Sequence, residues 1–145
     1  VLFWASMCDL TGSGRVIWVP DTEEHAELDH ARLTVVAGAA HQPETVHSVV
    51  AAADGIANGL LVLGPGPLMP LVGRFKAYRD LVGVGSYAVF EHTIVNGHPV
   101  WVSHGQGPGE AASMMANDDP DFIVDLAAER GVFTFNPGGY LKRVS

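Results

Sequence analysis

The chain has 145 residues, 48% of them hydrophobic, with sixteen acids against eight lysines and arginines and a formal charge of −8. That length and composition suit a single globular domain and exclude a disordered chain, and the apolar runs break well short of the ~20 residues that cross a bilayer. The acidity, with Lys76 and Lys142 as the only lysines, argues against nucleic acid and against an anionic membrane, which both attract basic surfaces.

The first residue is Val1, and no basic segment precedes the apolar start, so the chain reads as processed or as part of something longer, without a signal peptide. Residues 1–6 read as a short apolar strand, Thr11-Gly12-Ser13-Gly14 as a turn, and Arg15 to Val19 as a second strand, which makes a hairpin. Cys8 is the sole cysteine and has no internal partner, which fits a reducing, cytoplasmic setting and a buried thiol. Asp21 to Arg32 is polar and charged and reads as solvated helix or loop.

Leu33 to Gly38 is apolar and rich in β-branched residues, as in a buried strand. Pro43 and Glu44 open a helix that carries Val46, Val49, Val50, Ala53, Ile56 and Ala57 on one stripe and ends at Asn58-Gly59. Leu60 to Leu63 is the next strand, so residues 33–63 read as a βαβ unit with parallel strands. After the loop Gly64-Pro65-Gly66-Pro67, Leu68 to Val82 reads as a helix burying Leu71, Val72, Phe75, Tyr78, Leu81 and Val82.

Asn96-Gly97 lies between two β-rich runs and predicts an antiparallel hairpin over residues 86–103. A helix follows over Glu110–Asn117, and Asp119-Pro120 signals another that ends at Gly131 and buries Phe122, Ile123, Leu126 and Ala127. Val132 to Phe135 reads as the last strand, closed by the turn Asn136-Pro137-Gly138-Gly139. The expected fold is therefore a single α/β domain spanning 1–145, a mixed twisted sheet with flanking helices.

The most site-like stretch is Ser103-His104-Gly105-Gln106-Gly107-Pro108-Gly109-Glu110, which leaves a strand and opens a helix. Glycines let backbone approach a ligand, and a helix start offers free N–H groups. If the strands before them are neighbours, this loop and Gly64–Pro67 share one crevice at the carboxyl ends of the sheet. Gly64, Gly66, Ser103, Gly105, Gly107 and Gly109 are then the ligand-binding candidates, and His104 and Glu110 the catalytic ones. Neither G-x-G-x-x-G nor a P-loop is present, so no nucleotide cofactor is expected.

No metal site is expected either. His98 and His104 would lie about 20 Å apart along a strand, and His25 and His30 are poorly spaced for one helix face. A small-molecule ligand is the expected partner, and assembly with further copies is left open. A non-catalytic acidic interaction module is the alternative.

Leu61-Val62-Leu63-Gly64-Pro65-Gly66-Pro67, the run from Asn96 to Gly109, and Ala127 to Phe135 resemble the loops and strands of the nucleoside phosphorylase and nucleosidase superfamily. That resemblance implies a small-molecule enzyme, a hydrolase or transferase acting on a nucleoside-like or glycosidic substrate.

Overall fold

The structure, a computed structural model, describes residues 1–20, 28–56, 58–95, 105–129 and 134–145. The class is α/β, and the contacts fall into two compact units, Val1–Gly55 and Ile56–Ser145.

In the first unit, α1 (Leu2–Thr11) stands where a strand was expected. Leu, Met and Ala favour helix, nothing before Gly12 breaks it, and Gly12 closes it with φ 71° and an N–H to the Asp9 carbonyl. A six-residue apolar run is ambiguous by pattern alone; here the helix runs on to the glycine. There is accordingly no hairpin between residues 1–6 and 15–19. β1 (Val16–Trp18) pairs in parallel with β2 (Leu33–Val35), Val16 opposite Leu33. α2 (Pro43–Ala53) starts at its proline as expected but stops earlier, at Asp54 in left-handed conformation, and buries Thr45, Val49 and Ala53. Val50 and Ile56 of the expected stripe are exposed.

In the second unit, four strands lie in the order β3 (Leu61–Leu63), β4 (Tyr87–Phe90), β6 (Tyr140–Arg143), β5 (Phe122–Val124). β3 (Leu61–Leu63) and β4 (Tyr87–Phe90) are parallel, joined by α3 (Leu68–Tyr78) and a single 3₁₀ turn at Arg79–Leu81. The βαβ unit thus lies one step later than expected: β2 pairs with β1, and β3 with β4. The β-branched pattern marks a strand but does not name its partner. β6 (Tyr140–Arg143) runs antiparallel to both β4 and β5 (Phe122–Val124).

The expected helix over 119–131 is instead β5 and a 3₁₀ turn at Leu126–Ala128. Asp119 makes a local turn, accepting the Asp121 N–H, while its carboxylate also binds Arg79. Phe122 is buried, but Ile123 and Leu126 are 49% and 69% exposed, so the predicted helical face does not form. Of the expected last strand at 132–135, Thr134 and Phe135 are in no strand and Val132 and Phe133 lie outside the described residues; β6 follows the Asn136 turn. Of the 86–103 hairpin, β4 covers only Tyr87–Phe90; Asn96-Gly97 and the return strand lie outside the described residues.

Alternation along β4 decides the core. Ala88 and Phe90 are fully buried, as is Leu141, which pairs with Ala88. Against them pack Leu71 and Phe75 of α3 and Ala111 and Met115 of α4 (Pro108–Asp118). Phe75 sits 5.0 Å from Phe122, edge to face, and 5.8 Å from Phe90, close to the preferred aromatic separations.

Candidate functional site

β3 and β4 are adjacent and parallel, so the loops leaving their carboxyl ends emerge on one rim, where open α/β sheets hold their ligands. Gly64-Pro65-Gly66-Pro67 leaves β3, and Pro67 leads into α3. The first amide of that helix, Leu68 N–H, donates to the Gln106 carbonyl at 3.1 Å. This bond brings the two glycine loops together; the strand before the second loop, on which their expected convergence rested, lies outside the described residues. A Cβ built on Gly64 or Gly105 meets nothing within 4 Å, so that side of the rim is open; Gly105 has φ 74°.

Gly107 and Pro108 are buried where α4 begins. The Gly107 N–H donates to the Glu110 carboxylate at 2.9 Å. Glu110 therefore caps the helix it belongs to, and its negative charge sits where an anionic ligand would have to go. That arrangement suits a neutral hydroxylated ligand better than a phosphate. Gly109, Ser113 and Asn117 follow at intervals of four along α4 and leave room on both sides. On one side is a hollow of about 520 Å³ reaching Leu68, Gln106 and Glu110. On the other is one of about 440 Å³ reaching Thr93, Ile94 and Pro137. Both volumes fall in the range of small-ligand sites. Ser103 and His104 lie outside the described residues.

Sequence reasoning missed the corner after β4. The Glu91 N–H continues the ladder to the Leu63 carbonyl at 2.9 Å. His92 then takes φ 57°, a left-handed backbone that costs a non-glycine residue roughly 1–3 kcal/mol. The turn Asn136–Gly139, read from sequence as the turn that closes the last strand, holds this corner in place. The Asn136 side-chain carbonyl accepts the His92 N–H at 2.7 Å, and the Pro137 carbonyl accepts the Thr93 hydroxyl at 2.8 Å. Gly139 is required there, since a Cβ would lie 2.5 Å from the Phe90 carbonyl oxygen. The Asn-Pro-Gly-Gly run was the visible signal; what it pins was not.

The perturbed carboxylates belong to the frame. The Ser145 hydroxyl, and then Arg79, hold the Asp121 carboxyl below its ordinary range against partial desolvation. The Tyr87 hydroxyl, donating at 2.7 Å, does the same for Asp125. Among the described residues no three His, Cys, Asp or Glu side chains converge as metal ligands would, and no helix is long and apolar enough to cross a membrane.

Residues 1–144 match the family model described as Rhamnosyl O-methyltransferase/CmcI. Rhamnosyl O-methyltransferase from Mycobacterium leprae is 36% identical over 75 residues, which are 50% of this chain and 33% of that protein. The Mycobacterium tuberculosis protein of the same name is 35% identical over 75 residues, 50% of this chain and 31% of that protein. The matched stretch thus spans about a third of the length of these relatives. No solved structure matches the chain.

The family match overturns the nucleoside phosphorylase resemblance. The features that carried it, an apolar strand, a Gly-Pro loop, a helix and a second glycine loop, recur wherever parallel strands end at a ligand rim. They did not distinguish one family from another.

Proposed function

The chain belongs to the rhamnosyl O-methyltransferase/CmcI family, and from that premise we propose that it transfers a methyl group to a hydroxyl oxygen of a sugar at the rim formed by residues 64–67 and 105–109. The observation that carries this reading is the Leu68 N–H to Gln106 carbonyl bond, which ties the glycine loop at 105–109 to the open glycine loop at the carboxyl end of β3. Gly64, Gly66, Gly105, Gly107 and Gly109 shape the floor for the two substrates, the sugar and a methyl donor. Glu110 keeps the second loop in its bent form through the Gly107 amide. Ser103 and His104 precede that loop in the chain and remain the polar candidates from its other end. The chemistry asks little covalent work of the protein. It must place a hydroxyl in line with the methyl carbon, exclude water and accept one proton.

The test is incubation of the chain with methyl α-L-rhamnoside and S-adenosylmethionine labelled in its methyl group. The expected result is label in the rhamnoside, lost when Gly105 is replaced by valine, which cannot take its left-handed backbone cheaply. No transfer and no saturable binding of either compound overturns the reading, and pull-down of a basic protein by the same chain would then favour an interaction module.

A further inference from the structure

Among the described residues only Asp54 and His92 combine a positive φ with a side chain. Asp54 closes α2, where left-handed backbone is common. His92 closes no helix. It stands two residues beyond β4, on the same rim as the loop after β3. The Asn136 amide oxygen, the Gly139 carbonyl at Phe90 and the Pro137 carbonyl at Thr93 hold the chain around it. Those anchors come from more than forty residues away and fix a conformation that the local sequence does not favour. Thr93 is 1% exposed, whereas His92 is exposed. Backbone strain that surrounding structure maintains in an exposed titratable residue at a strand's carboxyl end is a mark of function.

We infer that His92 accepts the proton of the sugar hydroxyl during methyl transfer, with the sugar seated in the adjoining hollow. This rests on the sugar O-methylation proposed above. The hollow starts at the next residue, Thr93, and mixes apolar Ile94, Val124 and Pro137 with the Ser113 hydroxyl and the Asn117 amide. A 6-deoxyhexose offers the matching surfaces: a methyl group and a C–H face for the apolar wall, hydroxyls for the polar groups. As the acceptor oxygen bonds to the methyl carbon, the bond from that carbon to the donor's sulfonium sulfur breaks and its electron pair stays on sulfur. The hydroxyl proton passes to a neutral nitrogen of His92, and the imidazolium later releases it to water. Histidine is the side chain chemically suited to taking up a proton and giving it back in this way. The His92 ring lies 6.4 Å from the Phe135 ring; among the described residues Glu91 is its chain neighbour, and Glu129 accepts the Gly138 N–H of the turn that holds the corner at 2.7 Å.

The test is a titration of the full chain with methyl α-L-rhamnoside, followed by the histidine ring resonances, with His92 assigned by their loss in His92→Asn. Asparagine tolerates left-handed backbone, so this variant keeps the corner. A saturable shift at His92 is expected, together with a drop of ~10²–10⁴-fold in kcat for His92→Asn and little change in KM. A second variant, His92→Gly, removes the strain and should melt no lower than the parent while losing transfer to the same degree. Rhamnoside that binds while the His92 resonance stays still, or transfer retained in His92→Gly, overturns this inference and leaves the sugar reading standing. No binding at all overturns both.

Discussion

The two units bury their apolar residues to very different extents. Ile56–Ser145 surrounds Phe75 with Phe90 and Phe122 and closes the cluster with Leu71, Met115, Val82 and Leu141, nearly all without exposed surface. Among its described residues, Val1–Gly55 buries Ala5, Pro20, Thr45, Val49 and Ala53, while Leu2, Phe3, Trp4, Met7 and Leu10 of α1 remain exposed. One unit is held by a packed aromatic centre. The other is held by two short parallel strands and polar ties such as Asp9 to Arg32 at 2.9 Å and Arg15 to the Ala53 carbonyl at 3.1 Å. Exposed ties of this sort contribute little each, so resistance to unfolding should reside in the second unit.

The sharpest way to break this contrast is to empty the aromatic centre. Phe75→Ala removes a ring from between two others and should cost about 3–5 kcal/mol in urea unfolding. Val49→Ala in α2 leaves a smaller hole beside a partly open surface and should cost about 1 kcal/mol. Comparable losses at the two sites would show that the first unit is packed as well as the second.

Next in size is the ionic frame. Arg79 bonds Asp119 at 2.8 Å and Asp121 at 2.5 Å and lies 5.6 Å above the Phe122 ring. It joins the end of α3 to the start of β5. Arg79→Ala should cost about 2 kcal/mol, because Asp119 is buried and would be left without its cation. The carboxylates here also set an acid limit. Asp121 and Asp125 have lowered pKa values in the folded protein, so the stability they add is present above the ordinary carboxylate range, about 4, and is lost as pH falls through their lowered values. The melting temperature should fall below that range. Asp125→Asn should melt lower at neutral pH and lose less on acidification, and a parallel drop in both proteins would remove Asp125 from the account.

The same contrast separates what was legible in the sequence from what was not. α2, α3 and α4 start at or beside prolines, and α3 buries Leu71, Val72, Phe75 and Tyr78 of its expected stripe, so there local signals and tertiary structure agree, whereas α2 buries only Val49 and Ala53 of its own. α1 and β5 were misread where local signals were ambiguous. The run at 1–6 fits either period, and Asp119-Pro120 looks like a helix start although Asp119 serves Arg79 instead. β6 carries Lys142 and Arg143 and resembles a charged tail until its partners β4 and β5 are known. At the rim, the two glycine loops were visible in the sequence, and the Leu68–Gln106 bond joins them, while the strand expected to lead into the second lies outside the described residues. His92 was not legible, because its conformation depends on Asn136, which lies 44 residues away.

The smallest expected effect tests the exposed side of the first unit. Leu10 in the last turn of α1 is 81% exposed, so almost none of its apolar surface leaves water in the folded chain. Leu10→Lys should therefore lose almost no transfer free energy. It places a cation at the carboxyl end of a helix that has no basic residue in its last turn, a position the helix dipole favours. A change within about 0.5 kcal/mol, of either sign, is expected from thermal unfolding. A loss above about 1 kcal/mol would mean that this face of α1 is covered in solution, and the difference between the two units would then be one of partners rather than of packing.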